Sequence, residues 1–283
     1  DIKSIKNGDS TTFGTVSNKF SRKTDKLVSL RGGFGKLEGT LTHVLPCVPK
    51  KAVEYDKHRN QFKPISANSV KRTTMSEISV NDMLLIKEDN CHTEKYVLGR
   101  EKSRLLALIA CAGHIGKTLR CLQVGVIKDK DWFTDEMIKC TAFNNDQDIR
   151  LSVCTRGDLI IREYSKSVIN FVNKYVQEGR KTDLEVPDIM EYASLEDIRN
   201  YLQVVFDTEG GTNRNQITVT MSMPKFLYGV QHLLRKFGII SRVIPIKNKQ
   251  GYLRLAMSGY DAFLFYIKIG FSIARKQESL LKI

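Results

Sequence analysis

The chain has 283 residues, with 45 Lys and Arg against 31 Asp and Glu for a formal charge of +14, and is 41% hydrophobic and 27% charged. Those values exclude a disulfide-held miniature and a wholly disordered chain, and leave length for one large domain or two ordinary ones. The excess charge is shared, with 17 basic and 11 acidic side chains in residues 1–97 and 28 and 20 in residues 98–283; a basic folded surface of this kind suits a polyanion such as nucleic acid, and a solubilising surface is the alternative.

Residues 1–90 read as β-rich and irregular, with short apolar segments at 26–30 and 82–86 separated by Gly, Asn, Ser and Pro. From about Ser103 helical patterns of ten or more residues alternate with period-two strands, which puts a domain boundary at residues 88–100. Residues 105–112 are apolar on every side, so this helix is expected to be buried against another element. A strand over 121–126 directs Leu122, Val124 and Val126 to a core and Cys121, Gln123 and Gly125 away from it. A helix over 131–144, a hairpin over 149–164 turning at Arg156-Gly157-Asp158, and a helix over 165–175 follow. Polar residues 178–195, which include Pro187, form a connection.

The same order then repeats at an offset of 97 residues, with a helix from Tyr201 to the glycine at 210–211. In the strand over 216–222, Ile217, Val219 and Met221 point inward, and Gln216, Thr218, Thr220 and Ser222 point outward. A helix over 224–237, a hairpin over 239–258 turning at 248–251, and a helix over 260–269 close the copy. With a short strand allowed directly after each glycine, both copies read αββαββα. The expected class is α+β: a pseudo-twofold pair of such repeats after a small all-β domain.

Six cysteines (Cys47, Cys91, Cys111, Cys121, Cys140, Cys154) form no CxxC pair, and Cys111 and Cys121 fall in apolar segments, as buried free thiols do. A reduced, intracellular protein is expected. The five histidines lack metal-ligand spacing. The longest apolar run, residues 105–112, is far below the roughly 20 residues that cross a bilayer, and residues 1–3 begin no secretory apolar segment.

The helix ends Ala110-Cys111-Ala112-Gly113 and Asp207-Thr208-Glu209-Gly210, in register with matching strands and helices over residues 97–283, resemble the paired motifs of two-repeat LAGLIDADG homing endonucleases. The resemblance implies repeats at 97–180 and 181–283, motif helices packed through small residues such as Ala107 and Ala110, and saddle-shaped sheets. It further implies a monomer that binds double-stranded DNA at a long asymmetric site. One acidic residue per half would hold Mg²⁺, or another divalent cation, between the protein and the scissile phosphates. Glu209 stands at the acidic position of the second half, as catalytic and metal-binding residue; Ala112 stands at the first, and a methyl group cannot ligate a metal.

The implied function is therefore site-specific DNA binding with impaired phosphodiester hydrolysis, leaving the chain inactive or at most a nickase. A non-catalytic DNA- or RNA-binding module on the same scaffold, maturase- or repressor-like, is the alternative, and a solvated carboxylate in a last helical turn is the plain reading of an isolated Glu209. By strand parity Gln123, Gln216, Thr218, Thr220, Ser222, Tyr252 and Arg254 face the DNA, while Arg150, Arg156, Arg162, Arg242, Lys247 and Lys249 add charge near the hairpins. Gln and Arg suit adenine and guanine edges, and Lys suits phosphates. Lys249 is, by resemblance, the candidate basic residue near the cleaved phosphate. Asp207, Gly113 and Gly210 read as structural, the glycines by entering the left-handed region.

Residues 5–9 (Ile-Lys-Asn-Gly-Asp), the segment Thr40-Leu41-Thr42-His43 and residues 76–84 resemble, in order and spacing, the blocks of the Hint splicing domain of inteins. This makes residues 1–96 a Hint-like domain in which Thr40 and His43 would polarise the first peptide bond for nucleophilic attack. With Asp1 at the nucleophile position and no His-Asn pair among residues 280–283, the chain as given is expected not to splice. A fragment of an intein and a domain of this ancestry serving DNA binding both remain open; a hydrogen-bonded structural histidine is the plain reading of His43.

Overall fold

The computed structural model describes residues 10–11, 14–15, 27–32, 35–52, 55–56, 61–62, 67–79, 83–84, 94–116, 120–176, 184–213, 215–246 and 248–281. Residues 5–9 and Lys247, both singled out above, lie outside them. Contacts divide the chain into residues 1–91 and 92–283.

In the first unit, antiparallel strands pair in four small groups: β1 (Ser10–Thr11) with β2 (Gly14–Thr15), β3 (Leu27–Gly32) with β4 (Gly35–Thr40), β5 (Val44–Val48) with both β8 (Lys71–Thr74) and β9 (Met83–Leu84), and β6 (Tyr55–Asp56) with β7 (Gln61–Phe62). Among its described residues the helical structure is confined to two short 3₁₀ turns. Among its described side chains, Cys47, Val48 and Met75 are the buried hydrophobic ones.

The second unit holds two copies of one pattern. Its first copy runs α1 (Arg100–Ala112), β10 (Gly113–Gly116), β11 (Cys121–Val126), α2 (Lys130–Thr141), β12 (Ile149–Val153), β13 (Leu159–Glu163) and α3 (Lys166–Tyr175). The second runs α4 (Leu195–Glu209), β14 (Gly210–Asn213), β15 (Gln216–Met221), α5 (Pro224–Arg235), β16 (Arg242–Pro245), β17 (Leu253–Ser258) and α6 (Tyr260–Lys268), with one further helix, α7 (Ala274–Leu280). The sheets have the equivalent orders β10-β11-β13-β12 and β14-β15-β17-β16, antiparallel throughout. Both motif helices start earlier than the apolar runs suggested, because their first turns are largely polar and so fall outside the apolar runs. In α4, Ser194 Oγ accepts from the Asp197 N–H at 3.0 Å. In α1, which has Gly99 at its cap, Ser103 Oγ donates to the carbonyls of Gly99 and Arg100. Helix α7 was absent from the expected pattern.

The two copies bury a common core. Leu105–Cys111 of α1 and Ile198–Phe206 of α4 supply its centre, Leu122, Val124, Val126 and Ile161 line it from one sheet, and Ile217, Val219, Met221 and Leu255 line it from the other. Phe206 packs on Phe265 with ring centroids 4.6 Å apart. Cys121 departs from expectation: its strand parity is outward, yet it is fully buried, and burial pushes its thiol up against the opposing charge of Arg162.

The glycines after the motif helices also act differently from expectation. Gly113 (φ −93°) and Gly210 (φ −86°) are extended, not left-handed. The chain turns straight from helix into strand against the preceding turn, so a Cβ on Gly113 would lie 2.5 Å from Ile109 Cα and one on Gly210 2.6 Å from the Phe206 carbonyl oxygen. Close backbone approach, rather than φ, excludes a side chain. Gly210→Ala is expected to cost about 1–3 kcal/mol by overpacking, read as a lower urea midpoint at unchanged m-value; an unchanged midpoint would refute the steric account.

Candidate nucleic-acid interface

Helices α1 and α4 lie side by side and run the same way. The segments that enter them pair in parallel at Tyr96 and Ala193, positions one repeat offset apart, and the Leu98 N–H donates to Asp197 Oδ2 at 2.8 Å. Farther along, Arg104 of α1 reaches Gln203 Oε1 of α4 at 2.7 Å. Two helices of 13 and 15 residues aligned from their starts finish at the same end of the pair, so Ala112 and Glu209, their last residues, share that end. One is a half-buried methyl group and the other a half-buried carboxylate.

From that end the chain runs into the sheets, whose faces away from the core carry the polar residues of the strands. In the first sheet, pairing puts His114, Gln123, Arg162 and Arg150 in one row across four strands. In the second, Gly211, Thr218, Ala256 and Arg242 form the equivalent row, with Thr220, Arg254 and Ile244 in the row beside it. Gln216 is exposed, and Thr218, Thr220 and Arg254 are half-buried. None of the described strand positions on these two faces is an Asp or Glu. Glu163, the one strand carboxylate of either sheet, points inward, accepting from the Asp148 and Ser165 N–H groups. A row of donors without a carboxylate suits a polyanion.

Several of these side chains are already oriented. Arg162 donates to Gln123 Oε1 at 3.2 Å and to Ser152 Oγ at 2.7 Å, bridging both neighbouring strands. Arg150 is paired with Asp148 at 2.9 Å and lies over the Tyr164 ring, and that contact holds Asp148 below the usual carboxylate range. Arg156 is exposed in the β12–β13 turn, and Ser222 is half-buried just past β15. Lys249 sits at the tip of the β16–β17 hairpin, its ammonium 3.7 Å over the Tyr252 ring, on the pair of strands farthest in sheet order from β14 and the end of α4. In the first unit, the exposed His43 donates its backbone N–H to the Thr40 carbonyl at 3.0 Å, and Thr40 Oγ1 meets Thr42 Oγ1 at 3.4 Å.

Around the last turns of α4, Asp207, read from the sequence as structural, gathers partners that the sequence did not single out. Asp207 is buried and accepts from the Ser272 N–H at 2.9 Å, the Ser272 hydroxyl and the Ile273 N–H at 3.2 Å. Burial pushes its carboxyl up to about 6 in spite of those bonds and of Arg104 nearby. Lys276 of α7, also buried, donates to the carbonyls of Phe206 (3.2 Å), Asp207 and Gly210 (2.6 Å). Burial pulls its ammonium below the ordinary lysine value, opposed by the charges of Asp207 and, less strongly, Glu209. Only a signal linking positions 65–70 residues apart could have found this cluster.

The Asp207 shift has a sign in stability. A folded-state value near 6, against 3.8 for the free side chain, means that the folded protein binds this proton more tightly. The contribution is complete below about pH 4 and is lost as pH rises through 6, to a total of about 3 kcal/mol. Asp207→Asn, isosteric and uncharged, is expected to gain stability over the wild type as pH rises from 4 to 7. Parallel denaturation curves at the two pH values, with a constant difference between the proteins, would count against it.

The oxygen donors at this end do not make a divalent-metal centre. The first helix ends in Ala112, the second offers Glu209 alone, and the carbonyls around it face the Lys276 ammonium. No group of three or more His, Cys, Asp or Glu side chains among the described residues could hold a metal ion. All five described cysteines are free thiols, and no described helix is long and apolar enough to cross a membrane. Two grooves of the second unit lie elsewhere, one beside Tyr96, Tyr175 and Tyr192 and one beside Phe263, Tyr266 and Leu281.

Residues 196–270 match the model of a family described as LAGLIDADG-like domain. The fold resembles that of the homing endonuclease I-DmoI in complex with DNA and Ca, with a TM-score of 0.50 and 16% identity over 65% of this chain and 98% of that one. Full-length DUF199/WhiA from Thermatoga maritima matches with a TM-score of 0.45 and 16% identity over 66% of this chain and 62% of that one. In sequence, 136 residues are 29% identical to a probable translation initiation factor IF-2 of Methanocaldococcus jannaschii, covering 44% of this chain and 12% of that protein. Another 29% match, over 125 residues, is to the replication factor C small subunit of the same organism, covering 42% of this chain and 7% of that protein. The chain thus spans about an eighth or less of these curated relatives.

Proposed function

We propose that the chain is a site-specific binder of double-stranded DNA on a homing-endonuclease scaffold, with repeats at 97–180 and 181–283 and with strand cleavage impaired at the Ala112 helix end. The observation that carries this reading is the pair of outward sheet faces, rich in Gln, Thr and Arg and without a carboxylate at their described strand positions. Arg and Gln with both polar ends presented from a rigid strand can pair with guanine and adenine edges, and the remaining cations suit phosphates. Arg156 and Lys249 at the hairpins, and Lys247 by its charge, belong to the phosphate group of contacts. The two faces differ, Gln123, Arg150 and Arg162 standing opposite Gln216, Thr218, Thr220 and Arg254, so a single monomer would read a long asymmetric site. Mg²⁺ or another divalent ion is the cofactor of such scaffolds, and Glu209 is the one carboxylate this chain would bring to it.

A second reading concerns the setting of the protein. Short shares of two proteins with unrelated names, an initiation factor and a replication factor subunit, match the same chain, as expected of a module that is inserted into different hosts. On this reading residues 1–96 are the splicing domain, with Thr40 and His43 as the polarising pair.

The test is selection from a randomised duplex library, followed by incubation with Mg²⁺ of the wild type and Ala112→Asp. One long site retained without double-strand breaks is the expected result for the wild type, and double-strand breaks at that site are expected for the variant. Retention without sequence preference would overturn site-specific binding, and double-strand breaks by the wild type would overturn impairment.

A further inference from the structure

We propose that Lys276 is a resident cation for the C-terminal end of α4, and that DNA binding by this chain is therefore independent of divalent metal. Three carbonyl oxygens, of Phe206, Asp207 and Gly210, converge on one ammonium. That is part of the oxygen shell, roughly six to eight donors, that a hard cation takes, and the end of a helix supplies matching partial negative charge. Here the cation is covalent. It is delivered by α7, which is itself anchored: Thr212 and Ser279 hydroxyls meet at 2.6 Å, and Arg275 forms an ion pair with Asp129 of the first repeat.

The surrounding groups fit the same account. Asp207 spends its two oxygens on Ser272 and Ile273, and Glu209 lies within the electrostatic reach of Lys276. A divalent ion arriving at this end would meet one carboxylate, carbonyls already engaged and a like charge beside them. At the partner helix end it would meet the methyl group of Ala112. The helix end is already neutralised for the approach of a phosphate backbone, which rests on the DNA-binding reading above; occupancy of the carbonyl cage does not.

Two measurements decide it. Calorimetric titration of CaCl₂ into the DNA-free protein is expected to show no saturable site in the wild type or Lys276→Arg, and one site with Kd of about 10⁻³ M or tighter in Lys276→Met, whose cage is vacated. Binding to a library-selected duplex, in EDTA or Ca²⁺ at matched ionic strength, is expected to give a coupling factor of about one for the wild type and at least about fivefold for Lys276→Met. Saturable calcium binding by the wild type overturns the proposal, as does a folded Lys276→Met that acquires neither a calcium site nor calcium-dependent DNA binding. If Lys276→Met fails to fold, the wild-type titration decides alone. Failure of the wild type to bind any duplex counts against the DNA-binding reading, while the calcium titrations still decide the role of Lys276.

Discussion

Raising salt from 50 to 200 mM is expected to weaken binding of the selected duplex by about 10³–10⁵-fold, because neutralising roughly six to ten phosphates releases that many counterions. The excess of 28 basic over 20 acidic side chains in residues 98–283 would be worth less spread among carboxylates than beside sheet faces that carry no carboxylate at their described strand positions. Individual residues should separate by role. Arg242 is exposed on the outer strand of its sheet, so Arg242→Ala should reduce the salt slope by about one and weaken all sequences alike. Arg162 is held between Gln123 and Ser152 in the middle of its sheet. A fixed fork of this kind suits a base edge, and Arg162→Ala should relax the preference at one base pair at a cost of about 1–3 kcal/mol. Fluorescence anisotropy across a salt series measures both effects, and a slope near zero would sink the polyanion reading.

The largest stability effect is expected from Arg104→Ala, at about 3–5 kcal/mol, since it strands a buried carboxylate. Arg104 is almost fully buried in the wall of the helix pair. Its Nε and Nη2 pair with Glu136 of α2, its Nη1 donates to Gln203 of α4 at 2.7 Å, and Nη2 also reaches the Ser272 hydroxyl at 3.4 Å. Gln203 in turn donates to the Ile269 carbonyl at 3.0 Å, and Trp132 to the Ser272 hydroxyl at 3.0 Å. Burial works against the guanidinium charge, but the hydrogen bonds and charge of Glu136 outweigh it and hold Arg104 above its ordinary value. Deleting one partner leaves the other without compensation; replacing both by Leu removes the unpaired charge. Arg104→Leu with Glu136→Leu should therefore recover most of the loss. Urea denaturation of the two single variants and the double variant closes the cycle, and a double variant as unstable as the sum of the singles would disprove the coupling.

Much of the second unit was legible in the residues. The 97-residue repeat, the buried helices and the inward parity of Leu122, Val124, Ile217 and Val219 all follow from local periodicity. Helix and strand periods report which face is apolar, and burial enforces that choice. The outward parity of the Gln, Thr and Arg residues was legible for the same reason, whereas the acidic position at Glu209 and its loss at Ala112 came from the resemblance of the two helix ends to a known motif. Each depends on position within its own element. Periodicity failed where an element begins in a polar first turn, as at Arg100 and at Leu195 with its Ser194 cap, and where a short polar helix, α7, carried no apolar stripe to announce it.

What the tertiary structure alone decided is the pairing of groups distant in sequence. Nothing around Arg104 names Glu136, Gln203 or Ser272 as its partners, and nothing around Lys276 places it against carbonyls some 66–70 residues earlier. Gly113 and Gly210 were visible as helix-ending residues, but whether conformation or contact required them depended on where the next strand turned back. The amino-acid sequence by itself determined the repeat, the core faces and the chemical character of the outward strands, because these are properties of a residue and its near neighbours. Which charge is buried against which, and what fills the oxygen cage at the end of α4, depends on chain segments that meet only when both repeats pack on a common core.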